Sequence, residues 1–186
     1  MDFMELIKKR YSVRKFQDRI VENEKIQMIL EAGRLAPTAC NNQPQRILIL
    51  NSKEALGKIK LCTPYTSDAP LFMIICFDKN VSWKRQSDHE EMGNVDASIV
   101  ATHMMLEISN LGLGSTWVGQ FDSEKIRVLF SLPKNYVPIV ILPIGYPAET
   151  CMPHANHCKR LGIESTSFYN VYATCNNYDY SGNSKS

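Results

Sequence analysis

Residues 93–111 impose the strongest constraint on the fold. Val95, Ala97, Ile99, Val100, Ala101, Met104, Met105, Leu106, Ile108 and Leu111 recur at helical spacing and cover nearly every side of the cylinder. A helix that is apolar all round is buried, either at a domain centre or across a subunit interface. Gly112 stops it. His103, inside this helix, reads as a hydrogen-bonded core residue rather than a base. The rest of the chain must therefore supply elements that wrap such a helix.

Leu71–Phe77 is continuously apolar between Pro70 and Asp78, which suits a buried central strand. Arg46–Leu50, Ser115–Val118 and Ile139–Ile144 read as further strands, the last broken by Pro143 and closed by Gly145-Tyr146-Pro147. Helices are predicted over 2–10, over 22–34 with Asn23 as N-cap, over 53–60 capped by Ser52, and from Asp122 to about Phe130. Asp78–Glu91 is polar and reads as an exposed excursion. After Ala148 the apolar period fades, and 173–186 reads as a polar tail that lacks order or packs only through its tyrosines. The expected architecture is one α+β domain over 1–172, with a central sheet and a central buried helix.

Composition removes several classes of function. Lys+Arg number 21 and Asp+Glu 19, a net charge of +2, which gives no basis for a nucleic-acid coat or a membrane-surface binder. The apolar stretches Ala69–Phe77 and Val137–Ile144 fall far short of the roughly 18–20 residues of a membrane helix. Six cysteines in 186 residues are too sparse for a disulfide scaffold. The acid at position 2 does not fit a signal peptide, so a cytoplasmic, reducing setting is expected.

Four segments hold the residue types that carry chemistry. In Arg10-Tyr11-Ser12-Val13-Arg14 an extended backbone puts Arg10, Ser12 and Arg14 on one side, a good arrangement for a phosphate and a polyol. Spacing by itself favours a solvated basic turn that answers a helix dipole. Pro37–Gln45 is an uncharged loop rich in amides, able to read the edge of a planar heterocycle or to serve as a plain connector. Gly112-Leu113-Gly114-Ser115-Thr116-Trp117-Val118-Gly119 is not a dinucleotide fingerprint. It follows a helix and enters a strand, and Trp117 holds the third glycine position. Its glycines suit close backbone approach to a flat ligand walled by Trp117. Cys151-Met152-Pro153-His154-Ala155-Asn156-His157-Cys158 has zinc-type ligands at a spacing that matches no known pairing, so ordinary loop residues are the default. Cys40 has no histidine beside it in sequence.

Taken together and in order, these segments resemble the nitroreductase family of FMN-dependent flavoproteins. Arg10-Tyr11-Ser12-Val13-Arg14-Lys15-Phe16 is similar to that family's R-[RY]-S-x-R-x-F opening. Ala36-Pro37-Thr38-Ala39-Cys40-Asn41-Asn42-Gln43-Pro44 is similar to its A-P-[ST]-[AS]-x-N-x-Q-P loop. Leu111–Gly119 is similar to L-G-L-G-[ST]-x-W-[IV]-G, and Ile144–Pro147 to the I-G-Y-P end of the last core strand.

The resemblance implies a mostly antiparallel sheet flanked by helices, in an intertwined homodimer with FMN at the subunit interface. It implies that Arg10, Tyr11, Ser12 and Arg14 lie about the phosphate, ribityl chain and pyrimidine edge. Pro37, Thr38, Ala39, Asn41 and Gln43 would approach from the partner subunit. Trp117, Val118 and Gly119 would present backbone to the isoalloxazine, and Lys159 and Arg160 resemble the family's basic pair for the phosphate. NADH or NADPH would donate electrons, and a nitroaromatic, quinone or similar small electrophile would accept them by ping-pong transfer through flavin N5. The cofactor then carries the reaction and no side-chain triad is needed.

Two departures bear on this. Gln45 stands where an aromatic often follows Q-P, and Leu161-Gly162-Ile163-Glu164-Ser165 replaces a K-P-L-E-E run. Other readings stay open at this point: a flavin enzyme of another reaction type, such as dehalogenation or substrate oxidation, a non-turnover FMN-binding module, or a zinc protein using Cys151–Cys158.

Overall fold

A computed structural model describes residues 2–170 of the chain. Residues up to His154 form one compact unit, and a second begins at Ala155. The elements of the first unit are α1 (Phe3–Lys9), α2 (Asn23–Arg34), β1 (Gln45–Leu50), α3 (Lys53–Ile59), β2 (Leu71–Asp78), α4 (Gly93–Asn110), β3 (Gly114–Ser115), α5 (Ser123–Leu129) and β4 (Tyr136–Gly145). The second unit has a short 3-10 turn at Ile163–Ser165. The expected tail over 173–186 lies outside the described residues. No helix among the described residues is long and apolar enough to cross a membrane.

The sheet is antiparallel throughout, with strand order β1-β2-β4-β3. β2 is buried along its whole length, as its unbroken apolar run demands. Its side chains alternate between two cores. Leu71, Met73, Ile75 and Phe77 pack with α2 and α4, while Phe72, Ile74 and Cys76 pack with Ile59 of α3 and Ile126 of α5. Helices thus cover both faces, the α+β arrangement expected. Burial pushes the Cys76 thiol up to about 12, so it acts as a small apolar side chain rather than a nucleophile.

The caps at Ser52 and Asp122 form as predicted: each side chain accepts the backbone N–H three residues on, from Ala55 at 3.2 Å and from Lys125 at 3.0 Å. Asn23 is not a cap. Glu22 occupies that position, and its carboxylate is drawn away to Tyr146 and Arg19.

Two strand boundaries differ from expectation. β4 starts earlier and runs through both of its prolines. Pro138 sits beside the bulge at Ile75/Cys76, a place where a strand tolerates a missing N–H. β3 stops at Ser115, although Val118 again exchanges backbone hydrogen bonds with Ile141 at 3.0 Å. The register is unchanged across the gap, so Thr116 faces Pro143. With a backbone period of two, residue 143 should donate to that side as Ile141 does, and proline has no N–H to donate.

α4 is buried along Gly93, Asp96, Ala97, Val100, Ala101, Met104, Met105 and Ile108. Its other side is open within one chain. Val95 is 41% exposed, and His103 is exposed rather than a core residue. Val95, Ile99, Thr102, His103 and Ile139 border an apolar depression of about 560 Å³. The all-round apolar pattern therefore serves a core on one side and leaves an unpartnered stripe on the other.

Tyr146 ties the end of β4 to the start of α2. It donates to Glu22 at 2.6 Å and accepts from Lys25 at 2.8 Å, with Arg19 stacked 3.8 Å over its ring. The Tyr146 hydrogen bond, helped by Arg19, lowers the Glu22 carboxyl to about 2. A depressed carboxyl adds stability above its unfolded value of 4.5 and loses it as pH falls toward 2. Tyr146→Phe should therefore flatten the acid dependence of unfolding between about pH 4.5 and 2. Urea midpoints across that range check this; parallel pH profiles for both proteins would contradict the assignment.

Candidate functional site

The basic segment is pinned by its one apolar member. Val13 is 2% exposed and its N–H donates to Ser115 at 3.0 Å, while Ser12 bridges Ser115 in parallel register. A Cβ on Gly114 would lie 2.4 Å from Val13 Cγ2. Gly114 is therefore required by this close approach, and Gly112 by its left-handed φ of +74°. The first two glycines of the Gly-rich segment serve the fold. Gly119 is different: an added Cβ would meet only the Trp117 indole, at 3.7 Å.

With Val13 turned inward, the alternation of an extended chain leaves Ser12 and Arg14 on the other side. Arg14 is exposed and reaches only the Ser12 carbonyl, at 3.4 Å. Arg10 caps α1 and borders a cleft of about 230 Å³ with Lys9, Tyr11, Ser109 and Leu113. The Tyr11 hydroxyl donates to the Cys151 carbonyl at 3.0 Å, and burial raises its ionisation above the usual 10.0.

The chain has eight arginines. Arg19, Arg34, Arg46, Arg85 and Arg127 are each paired with a carboxylate. Arg10, Arg14 and Arg160 have no such partner among the described residues. The three unpaired arginines are those that the motifs single out. Arg160 and Lys159 are exposed in the second unit, where the Arg160 guanidinium donates to the Lys159 carbonyl at 2.7 Å.

The amide loop is compact and strained. Cys40, Asn41 and Gln43 have φ of 52°, 53° and 50°, each costing on the order of 1–2 kcal/mol for a residue with a Cβ. Thr38 closes the loop on itself, its hydroxyl accepting from the Gln43 N–H at 3.1 Å and its carbonyl from the Asn41 N–H at 3.0 Å. Pro37, Cys40, Asn41 and Gln43 are exposed, and Thr38 and Ala39 are half-buried. Asp96 of α4 accepts the Ala39 N–H at 2.9 Å. Arg46 donates to the Gln43 carbonyl at 3.1 Å and pairs with Asp78 at 3.3 Å.

One chain does not bring the loop and the basic segment together. The loop is anchored at Asp96, near the start of α4. Met105 and Ser109, which line the Arg10 cleft, lie nine and thirteen residues further on (105−96 and 109−96). At 1.5 Å per residue the two ends are about 14–20 Å apart along the helix.

Trp117 is 39% exposed and Val118 is buried against Ile141. The Cys151–Cys158 stretch spans both units, and among the described residues no group of three or more His, Cys, Asp or Glu side chains is placed to hold a metal ion. Sequence reasoning missed Asp96 and the role of Arg46. A lone carboxylate inside the apolar run 95–101 was the available signal for the first.

The comparisons with known proteins agree with the motifs. The model of the Nitroreductase family matches residues 7–64 and 61–146. A protein of Methanothermobacter thermautotrophicus with the provisional name NADH dehydrogenase/NAD(P)H nitroreductase is 36% identical over 80% of this chain and 79% of its own length. The crystal structure of a nitroreductase family protein from Clostridium difficile superposes with a TM-score of 0.87 at 42% identity, covering 92% of this chain and 100% of that one. An FMN-dependent nitroreductase from the same species gives a TM-score of 0.76 at 28% identity, over 91% and 100% of the two chains. The fold is thus the α+β fold of these neighbours. The chain belongs to the nitroreductase family.

If Gly114 is fixed by Val13 contact, Gly114→Ala should cost about 1–3 kcal/mol through overpacking. Urea unfolding measures this; a loss below about 0.5 kcal/mol would mean that the contact yields easily.

Proposed function

We propose that this protein is an NAD(P)H-dependent FMN oxidoreductase that reduces nitroaromatics, quinones or related small electrophiles. The observation that carries the reading is the pair of arginines in the basic motif, Arg10 and Arg14, that lack a carboxylate partner among the described residues while five others have one. An unpaired guanidinium suits an anionic ligand, because its forked donors match phosphate oxygens.

The residues present fit FMN. Arg10 would meet the phosphate, and Tyr11 and Ser12 would line the ribityl chain; Lys159 and Arg160 resemble the family's basic pair for a phosphate. Arg14 would place a fixed positive charge at the pyrimidine edge, where negative charge develops on reduction. The uncharged loop residues Pro37, Thr38, Ala39, Asn41 and Gln43 would offer amides and carbonyls to a planar ring. Trp117, Val118 and Gly119 would wall it and present backbone. When bound, FMN supplies two-electron transfer from NADH or NADPH to the acceptor in alternating half-reactions. The protein's share is orientation, exclusion of water and charge.

The working unit in this reading is a homodimer with one site at each subunit interface. The distance between the two motifs along α4 supports it, since a partner's loop can meet this chain's basic segment. The open side of α4, with Val95 and Ile99 among the polar Asn94, Ser98, Thr102 and His103, gives the partner a mixed surface to cover. A cytoplasmic setting accords with the free thiols at Cys40, Cys62, Cys76, Cys151 and Cys158.

The purified protein should be yellow, and NADH or NADPH added without oxygen should bleach it. Bound flavin that neither nicotinamide bleaches would refute the oxidoreductase reading. Arg14→Ala should weaken FMN binding about 10- to 100-fold, the worth of one charge-assisted contact. Unchanged retention would remove Arg14 from the site. The solution mass should be that of a dimer; a monomer that still holds FMN would contradict the shared site.

A further inference from the structure

The Asp96 carboxylate is 2% exposed, yet only one of its oxygens has a partner among the described residues. Burying a carboxylate is unfavourable unless its oxygens are answered. Its Oδ2 is buried without a hydrogen bond, and its Oδ1 accepts the Ala39 N–H at 2.9 Å. Ala39 opens the 3-10 turn Ala39–Asn41, which with Gln43 holds the three left-handed residues of the amide loop. No glycine relieves that loop, and the Asp96 contact adds an outside hold to the hydrogen bonds by which Thr38 closes it.

The far end of the loop is held in the same manner. The Arg46 guanidinium donates to the Gln43 carbonyl at 3.1 Å and to the Tyr136 hydroxyl at 3.3 Å. It is itself fixed by Asp78, whose carboxylate also takes the Asn135 amide at 2.6 Å. The main chain adds the Asp78 N–H to the Pro44 carbonyl at 2.8 Å. The loop is thus held at its first amide by a buried carboxyl group and at its last carbonyl by a guanidinium. Arg46 stands just past Gln45, the position where the family's aromatic is missing.

We propose that Asp96 and Arg46 are positioning residues that preset the Thr38–Gln43 loop for flavin. Neither touches the ligand in this account. They keep the loop's left-handed turns formed before binding, so binding does not have to order them. This rests on the FMN reading above.

The test measures two quantities on wild type, Asp96→Ala, Asp96→Asn and Arg46→Met. One is amide hydrogen exchange across residues 38–45 of the flavin-free protein. The other is the FMN dissociation constant from flavin fluorescence. Asp96→Ala should speed exchange at Ala39 and weaken FMN about tenfold, the loss of one buried hydrogen bond. Asp96→Asn keeps an acceptor for the Ala39 N–H and should restore both values to within about threefold of wild type. Arg46→Met lies in the sheet, away from the buried carboxylate, and should show the same pair of changes if Asp96→Ala fails to fold.

Loop exchange and FMN affinity that stay at wild-type values in Arg46→Met and in whichever Asp96 variants fold would overturn the proposal, as would faster exchange with unchanged affinity. Loss of affinity in Asp96→Asn equal to that in Asp96→Ala would also overturn it, since the acceptor would then not be what matters. Wild-type protein that binds no FMN at all would instead bring down the flavin reading itself.

Discussion

The antiparallel pairing of β2 with β4 carries both cores of the molecule. β2 is covered on every side, so its alternate side chains must find apolar partners in opposite directions. On one face that demand fixes α4, through Val100, Ala101, Met104 and Ile108, and α2 behind it. On the other it fixes α3 and α5. The segments with functional chemistry hang from this frame. The basic segment is attached through Val13 to β3 and so to β4, and the amide loop runs into β1 beside β2. The basic segment is placed by Val13 and its backbone rather than by its arginines, which leaves those arginines available to a ligand.

A second consequence follows from the length of α4. It is an 18-residue helix with the amide loop held at its start and the basic cleft at its end. The length that lets it span the core also separates the two motifs, and Val95 is left uncovered on its far side in a single chain. Both facts bear on one proposal, a site completed by a second copy. Charge follows a similar division of labour. Carboxylates neutralise arginines where the fold needs a brace, as at Arg46 and Asp78, and none among the described residues pairs with Arg10 or Arg14.

Much of this was legible in the sequence, for identifiable reasons. The buried strand at 71–78, the central helix and the caps at Ser52 and Asp122 each depend on local pattern, which survives packing. The break in β3 was not legible, because it depends on Pro143 lying opposite Thr116 in a neighbouring strand. His103 was misplaced because a helical wheel cannot say which apolar side faces a core. Asn23 lost the cap position to Glu22, whose carboxylate is taken by the distant Tyr146. The motifs of the site could be read off, but the residues that set the loop could not: Asp96 and Ala39 are 57 positions apart.

In the proposed function the arginines of the basic motif, without a carboxylate partner among the described residues, hold an anionic cofactor. Titrating the flavin-free protein with FMN and with riboflavin, which lacks the phosphate, tests this most directly. FMN should bind at least about tenfold more tightly, as one or more charge-assisted contacts require. Equal affinity for the two flavins would contradict the account.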